Sequence, residues 1–255
     1  MKRVISRYSY SVISFAVVLS IWEVAARLTG WSAQVFPGPL TVAEGAIELL
    51  ANGKLLRDSV ASLFRVTVGF DLAVLIGVPL GIILGRMVRL SKFINPLIQF
   101  LRPISPLAWI PLAMLWFGIG EKPAVFLIFL SCFFPLVTST IIAVHSIKPI
   151  YFQVASNFGF SRQEILLKVI FPAILPDIIT ALRMTIGIAW LVVVAAEMIA
   201  VQSGLGYLIL DSRNALRMDY VMVGMITIGI IGLLLDYIMR RLSDIDEVKW
   251  RKLAA

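Results

Sequence analysis

The 255-residue chain is 60% hydrophobic, only 15% charged, and carries a formal net charge of +8. Soluble domains hold about 25% charged residues, so an ordinary soluble enzyme is excluded; the apolar residues fall in runs of about 20, the length that crosses a bilayer as a helix. One cysteine, Cys132, excludes an intramolecular disulfide, one histidine, His145, excludes a two-histidine site, and basic residues gathered in short segments between apolar runs point to cytoplasmic loops rather than nucleic acid.

Residues 1–255 read as one all-α membrane domain of six spans with no linker. The first apolar run, 10–28, follows Lys2, Arg3 and Arg7. Its length and its Trp22-Glu23 pair favour an uncleaved span over a signal peptide. Pro37-Gly38-Pro39 is a rigid turn. Thr41 with Glu44 forms a capping-box pattern, predicting a short amphipathic helix over 42–50 that stops at Asn52-Gly53.

The second span, 60–84, leads into a stripe of Gly77, Gly81 and Gly85, whose four-residue spacing lets another helix approach closely. Arg86, Arg89 and Lys92 follow. The third span, 93–117, contains Pro103, Pro106 and Pro111 and must bend or break, which a membrane tolerates only where protein or a wet cavity surrounds the backbone. A tight turn over 118–123 leads to the fourth span, 124–144. Residues 145–176 are polar enough to leave the membrane and carry Lys148, Arg162 and Lys168, with Ser161 and Glu164 as a second capping box. The fifth span is 178–200 and the sixth 221–239, before a tail with Arg240, Arg241, Lys249, Arg251 and Lys252. Segments on the side of the N-terminus hold 14 Lys or Arg and those opposite hold 5. The positive-inside rule therefore puts both ends and the 145–176 loop in the cytoplasm.

No nucleophile, base or metal-ligand cluster assembles, and no GxxxxGK[ST] phosphate loop is present. No catalytic, cofactor-binding or metal-binding residue is expected, so any nucleotide that drives the protein must be bound by another chain. Charges inside the predicted spans are informative, because each costs about 2.5–3.5 kcal/mol at mid-helix. They are Arg65, Asp71, Arg102, Arg183, Glu197 and Asp236. Arg65 and Glu197 fall at similar depth toward the outer side and form a candidate structural ion pair. Arg102 and Arg183 fall toward the inner side and are candidates for an anion pathway; anchoring at the nearby interface is an equal alternative for both, and for Asp236.

The cytoplasmic loop reads Gln153-Val154-Ala155, Gly159, Phe171-Pro172 and Leu175-Pro176. This resembles the EAA loop of ABC importer permeases: EAA, three residues, Gly, nine residues, I-x-L-P. It departs from that pattern at Gln153, Val154, Val169 and Phe171. Leu101-Arg102-Pro103-Ile104-Ser105-Pro106 through Pro111-Leu112, then Trp116-Phe117-Gly118-Ile119-Gly120, is similar to the permeases for nitrate, sulfonate, taurine and bicarbonate. So are Gly187-Ile188-Ala189-Trp190, Ala195-Ala196-Glu197-Met198 and Gly204-Leu205-Gly206-Tyr207-Leu208. The resemblance implies a type I ABC importer permease fold in a bacterial inner membrane and a small anion as cargo. It also implies two permease copies, taken as identical, a dimer of cytoplasmic ABC ATPases that holds the ATP, and an extracytoplasmic solute-binding protein. Gln153, Ala155, Gly159, Phe160 and Pro172 would then couple to the ATPase. Gly159 permits a turn that side chains block, and Pro172 is expected to end the loop element and fix the return to the membrane. A secondary transporter or channel would need no ATPase, but the long loop and missing repeats count against it. A membrane enzyme lacks its reacting groups.

Overall fold

The computed structural model describes residues 2–28, 30–32 and 34–243; the basic tail residues Lys249, Arg251 and Lys252 lie outside them. Among the described residues every regular element is helical. The helices are α1 (Lys2–Leu28), α2 (Pro39–Ala51), α3 (Lys54–Arg86), α4 (Val88–Leu101), α5 (Ile110–Phe117), α6 (Glu121–His145), α7 (Pro149–Asn157), α8 (Arg162–Ala200), α9 (Leu205–Asn214) and α10 (Met218–Ser243).

Four of these, α3, α6, α8 and α10, are long and apolar enough to cross a membrane. Val88–Leu101 and Pro106–Phe117 form a further candidate, bent by 87° where Pro103 and Pro106 interrupt the backbone. The predicted first span, 10–28, is helical within α1 but is not one of the four.

Two local expectations are corrected. Helix α2 starts at Pro39, with Gly38 as its N-cap, so Thr41 lies inside the helix and makes no capping box. The fixed φ of Pro39 is already helical and it has no N–H to leave unpaired, which moves the start upstream. Nor does Pro172 end an element, because the helix runs unbroken from Arg162 to Ala200. Its backbone widens to π geometry over Ile165–Ile170, immediately before Pro172. A proline there cannot donate to the carbonyl four residues back and crowds it, and the wider turn relieves both problems. The 39 residues of α8 reach about 58 Å at the usual rise, roughly twice the hydrocarbon thickness. Part of it therefore stands outside the hydrocarbon layer.

The chain divides into two compact units. One comprises residues 1–61 with 203–229. Within it, Trp22 Nε1 donates to the Pro37 carbonyl at 3.1 Å, and Lys54 pairs with Asp211 at 2.9 Å. The Gly204 N–H donates to Asp58 Oδ1 at 3.1 Å.

The other unit comprises residues 62–202 with 230–255. Lipid is as apolar as leucine, so close van der Waals fit rather than hydrophobic expulsion holds its helices together. A methyl group on Gly81 would lie 2.5 Å from Thr140 Cβ, and one on Gly85 would lie 2.7 Å from Val144 Cβ. Gly77 is looser, at 3.5 Å from Leu136. The stripe is thus an α3–α6 seam, extended upstream by Gly69 against Ile128. One end of the α6–α8 packing is built from Ala124, Leu127, Ala196 and Ala200 with Ile110 and Ala113. The other end is built from Ala143, Val144, Ile147, Ile170, Ile174 and Ile178.

Candidate functional site

The 145–176 segment is built from one short helix, one turn and the base of one long helix. Pro149 at the first turn starts α7, which ends at Asn157. Gly159 follows with φ +69 and nothing within 4 Å of where a Cβ would stand. The Phe160 N–H donates to the Ala155 carbonyl at 3.0 Å and the Gly159 N–H to the Ser156 carbonyl at 3.0 Å. This pair of bonds is the Schellman stop, which needs a left-handed residue at the glycine position. The chain restarts at once: Ser161 Oγ accepts from the Glu164 N–H and the Glu164 carboxylate accepts from the Ser161 N–H at 3.0 Å, a complete capping box. Lys168 pairs with Glu164 at 2.8 Å and lies 5.1 Å from the centre of the Phe160 ring.

These constraints divide the loop into an inner and an outer face. Ala155 is buried and lies at the floor of the groove described below. Phe152 packs on the α6–α8 core, with the Arg86 guanidinium 4.8 Å above its ring. Gln153, Gly159 and Pro172 are exposed, and Phe160 is half-buried. The outer face is apolar: Ile150, Tyr151 and Val154 are about half exposed and Phe158 is 76% exposed. With Phe160, Lys168 and Pro172 they line a groove of about 470 Å³. Of Ile150, Tyr151, Val154 and Phe158, Val154 stands in the motif read from the sequence and the other three do not. Their i, i+4, i+8 spacing (150, 154, 158) was the available signal.

At the opposite end of the same unit, Arg65 on α3 and Glu197 on α8 are both fully buried, and Arg65 Nη1 donates to Glu197 Oε1 at 2.5 Å. Sequence reasoning missed two further members. Glu121, at the start of α6, receives Arg65 Nε and, at 2.8 Å, Arg65 Nη2. Ser62 Oγ donates to the second Glu197 oxygen at 2.9 Å. The network ties three helices around one guanidinium, whose fork geometry suits two carboxylates at once. Glu121 arrives there because Gly118 and Gly120 take positive φ values of 77 and 140, and the Gly120 N–H donates to the Ala200 carbonyl at 3.1 Å.

Arg183 Nε donates to Asp236 Oδ1 at 2.9 Å, and Asp236 also accepts from Arg240 at 2.9 Å. Arg102 caps the C-terminal end of α4 and is exposed, a position where a cation also complements the helix dipole. In the first unit, Arg217 contacts Glu48 at 3.0 Å and Asp219 at 2.8 Å and lies 3.7 Å from the Tyr220 ring centre. Hydrogen bonds from Tyr220 and then Arg217 hold the Glu48 carboxyl below its usual range. Among the described residues no group of three or more His, Cys, Asp or Glu is arranged to hold a metal ion.

The family model for the binding-protein-dependent transport system inner membrane component matches residues 77–251. The taurine transport system permease protein TauC of Escherichia coli K12 is 35% identical over 91% of this chain and 86% of its own length. The bicarbonate transport system permease protein CmpB of Synechococcus elongatus is 36% identical over 86% of this chain and 82% of its own. Among solved structures, a chain of the inward-facing MetNI methionine ABC transporter superposes with a TM-score of 0.64 at 17% identity, over 72% of this chain and 91% of that one.

Proposed function

The chain belongs to the family of binding-protein-dependent transport system inner membrane components, and on that premise we propose that it carries a small anion inward, driven by ATP that a partner ATPase dimer hydrolyses on the cytoplasmic side. An extracytoplasmic solute-binding protein delivers the cargo, and two copies of this chain form the pathway. Each copy spans the membrane six times with both ends in the cytoplasm. The cargo is of the nitrate, bicarbonate or sulfonate class, a reading supported by the taurine and bicarbonate relatives.

The observation that carries the coupling role is the Gly159 turn, held by backbone bonds on one side and the Ser161 cap on the other, with an exposed apolar face on the helix before it. A helix so held transmits a push to α8 as a lever, since no flexible residue separates Gly159 from the 39-residue helix beyond the cap. The partner meets Ile150, Tyr151, Val154 and Phe158, with Gln153 and Phe160 at the rim. Ala155 serves the turn from inside. Of the two arginines, Arg102 is the better candidate to meet cargo, because Arg183 is already held by its ion pair with Asp236.

The test is cysteine crosslinking from positions 150, 154 and 158 to the co-purified ATPase. Crosslinks at these three, and none from 155, support the reading. An assembled complex with no crosslink at any exposed position removes this loop as the coupling element.

A further inference from the structure

A second apolar groove, of about 420 Å³, runs along the outside of α3 and α6 in the second unit. Val68, Leu72 and Ile76 line it from α3, spaced so that all three fall on one helix face. Phe126 and Phe129 line it from α6, with Phe117 from the end of α5. The eight helical steps from Val68 to Ile76 make it about 12 Å long. It is therefore elongated and dry, which suits a hydrocarbon chain. Its mouth is different: the adjacent side chains Glu121 and Lys122 stand there, at the first turn of a membrane-spanning helix.

The charges at that mouth discriminate among occupants. Glu121 gives two contacts to Arg65 yet its side chain remains 54% exposed, and a carboxylate can accept about four hydrogen bonds. Lys122 is exposed and forms no ion pair among the described residues. One free cation beside one partly free anion, at the first turn of a membrane-spanning helix, complements a headgroup that itself carries both charges. We propose that this groove is a phospholipid site selective for a phosphoethanolamine headgroup. The lipid phosphate sits on Lys122, its primary ammonium donates to Glu121, and one acyl chain lies between α3 and α6. A phosphocholine headgroup has no N–H to donate to Glu121. A phosphoglycerol headgroup has no cation at all and sets its phosphate against that carboxylate. A second copy of this chain packed here by apolar residues leaves both charges unmatched beside hydrocarbon, which is costly.

The experiment titrates the purified complex in detergent with phosphatidylethanolamine, phosphatidylcholine and phosphatidylglycerol of matched acyl chains, and counts bound lipids by native mass spectrometry. Phosphatidylethanolamine is expected to bind about fivefold more tightly than phosphatidylcholine, the worth of roughly one hydrogen bond. Lys122→Gln should weaken it about tenfold, the worth of one charged contact. Leu72→Trp, at a position 42% exposed, fills the groove and should abolish binding of all three while the complex stays assembled. Equal binding of the three lipids, unchanged in Lys122→Gln, overturns the proposal. So does disulfide formation between Leu72→Cys residues of two copies in native membranes, which would show that the groove is covered by protein.

Discussion

A guanidinium with no solvent exposure, such as that of Arg65, is tolerable in a membrane protein only while its carboxylates stay beside it. Removing one partner of a buried pair costs about 3–5 kcal/mol, because the other charge is left stranded. Glu197→Gln should therefore lower the thermal midpoint of the detergent-solubilised protein sharply, and adding Arg65→Gln should recover part of the loss. Strictly additive losses would mean that the two side chains do not depend on each other. Glu121→Gln should cost only about 1 kcal/mol, since its carboxylate is half in solvent and screened. Counting residues from the span ends brings out Arg65 and Glu197, because burial in a helix is periodic and depth follows chain position. It does not bring out Glu121, whose approach depends on two left-handed glycines in the preceding turn. Nor does it pair Arg183 with Asp236, because rotation about a helix axis is set by packing that a single sequence does not display.

Helix contacts make sharper distinctions than sequence spacing does. Gly77, Gly81 and Gly85 look equivalent in the sequence, yet an added Cβ meets Thr140 at 2.5 Å from Gly81 and only ordinary contact at 3.5 Å from Gly77. Gly81→Ala should destabilise by about 1–3 kcal/mol, as overpacking does, while Gly77→Ala should be close to neutral. Equal thermal midpoints for the two variants would contradict the α3–α6 seam. At Gly159 a side chain meets open space, so the penalty is backbone strain alone, about 1–2 kcal/mol for an ordinary residue. Gly159→Leu should therefore insert and assemble normally but lose ATP-driven transport, and Gly159→Asn, which tolerates the left-handed conformation, should retain most of it. Identical failure of both would mean that bare backbone, rather than the turn, is what the loop requires. The sequence frame of this loop was legible because glycine and the Ser161–Glu164 cap are local signals. The π turn before Pro172 was not, since a proline can be absorbed as well as obeyed.

For the whole molecule, composition and run length were enough to read an all-helical membrane protein, and prolines at 103 and 106 were enough to read a broken span. That the fifth span continues as one helix back to Arg162 was not legible, because the residues before it are polar enough to read as a separate loop. The proposed function turns on transport driven by ATP hydrolysed on a partner and transmitted through the 149–172 loop. The direct measurement is uptake of labelled nitrate, bicarbonate and taurine into vesicles that contain this chain, its co-purified ATPase and its binding protein, with ATP inside or outside. Accumulation of one of these anions should occur only when ATP reaches the ATPase, and should vanish in Gly159→Leu while the complex remains intact. Uptake that follows an ion gradient without ATP, or that persists after the ATPase is stripped away, would contradict it.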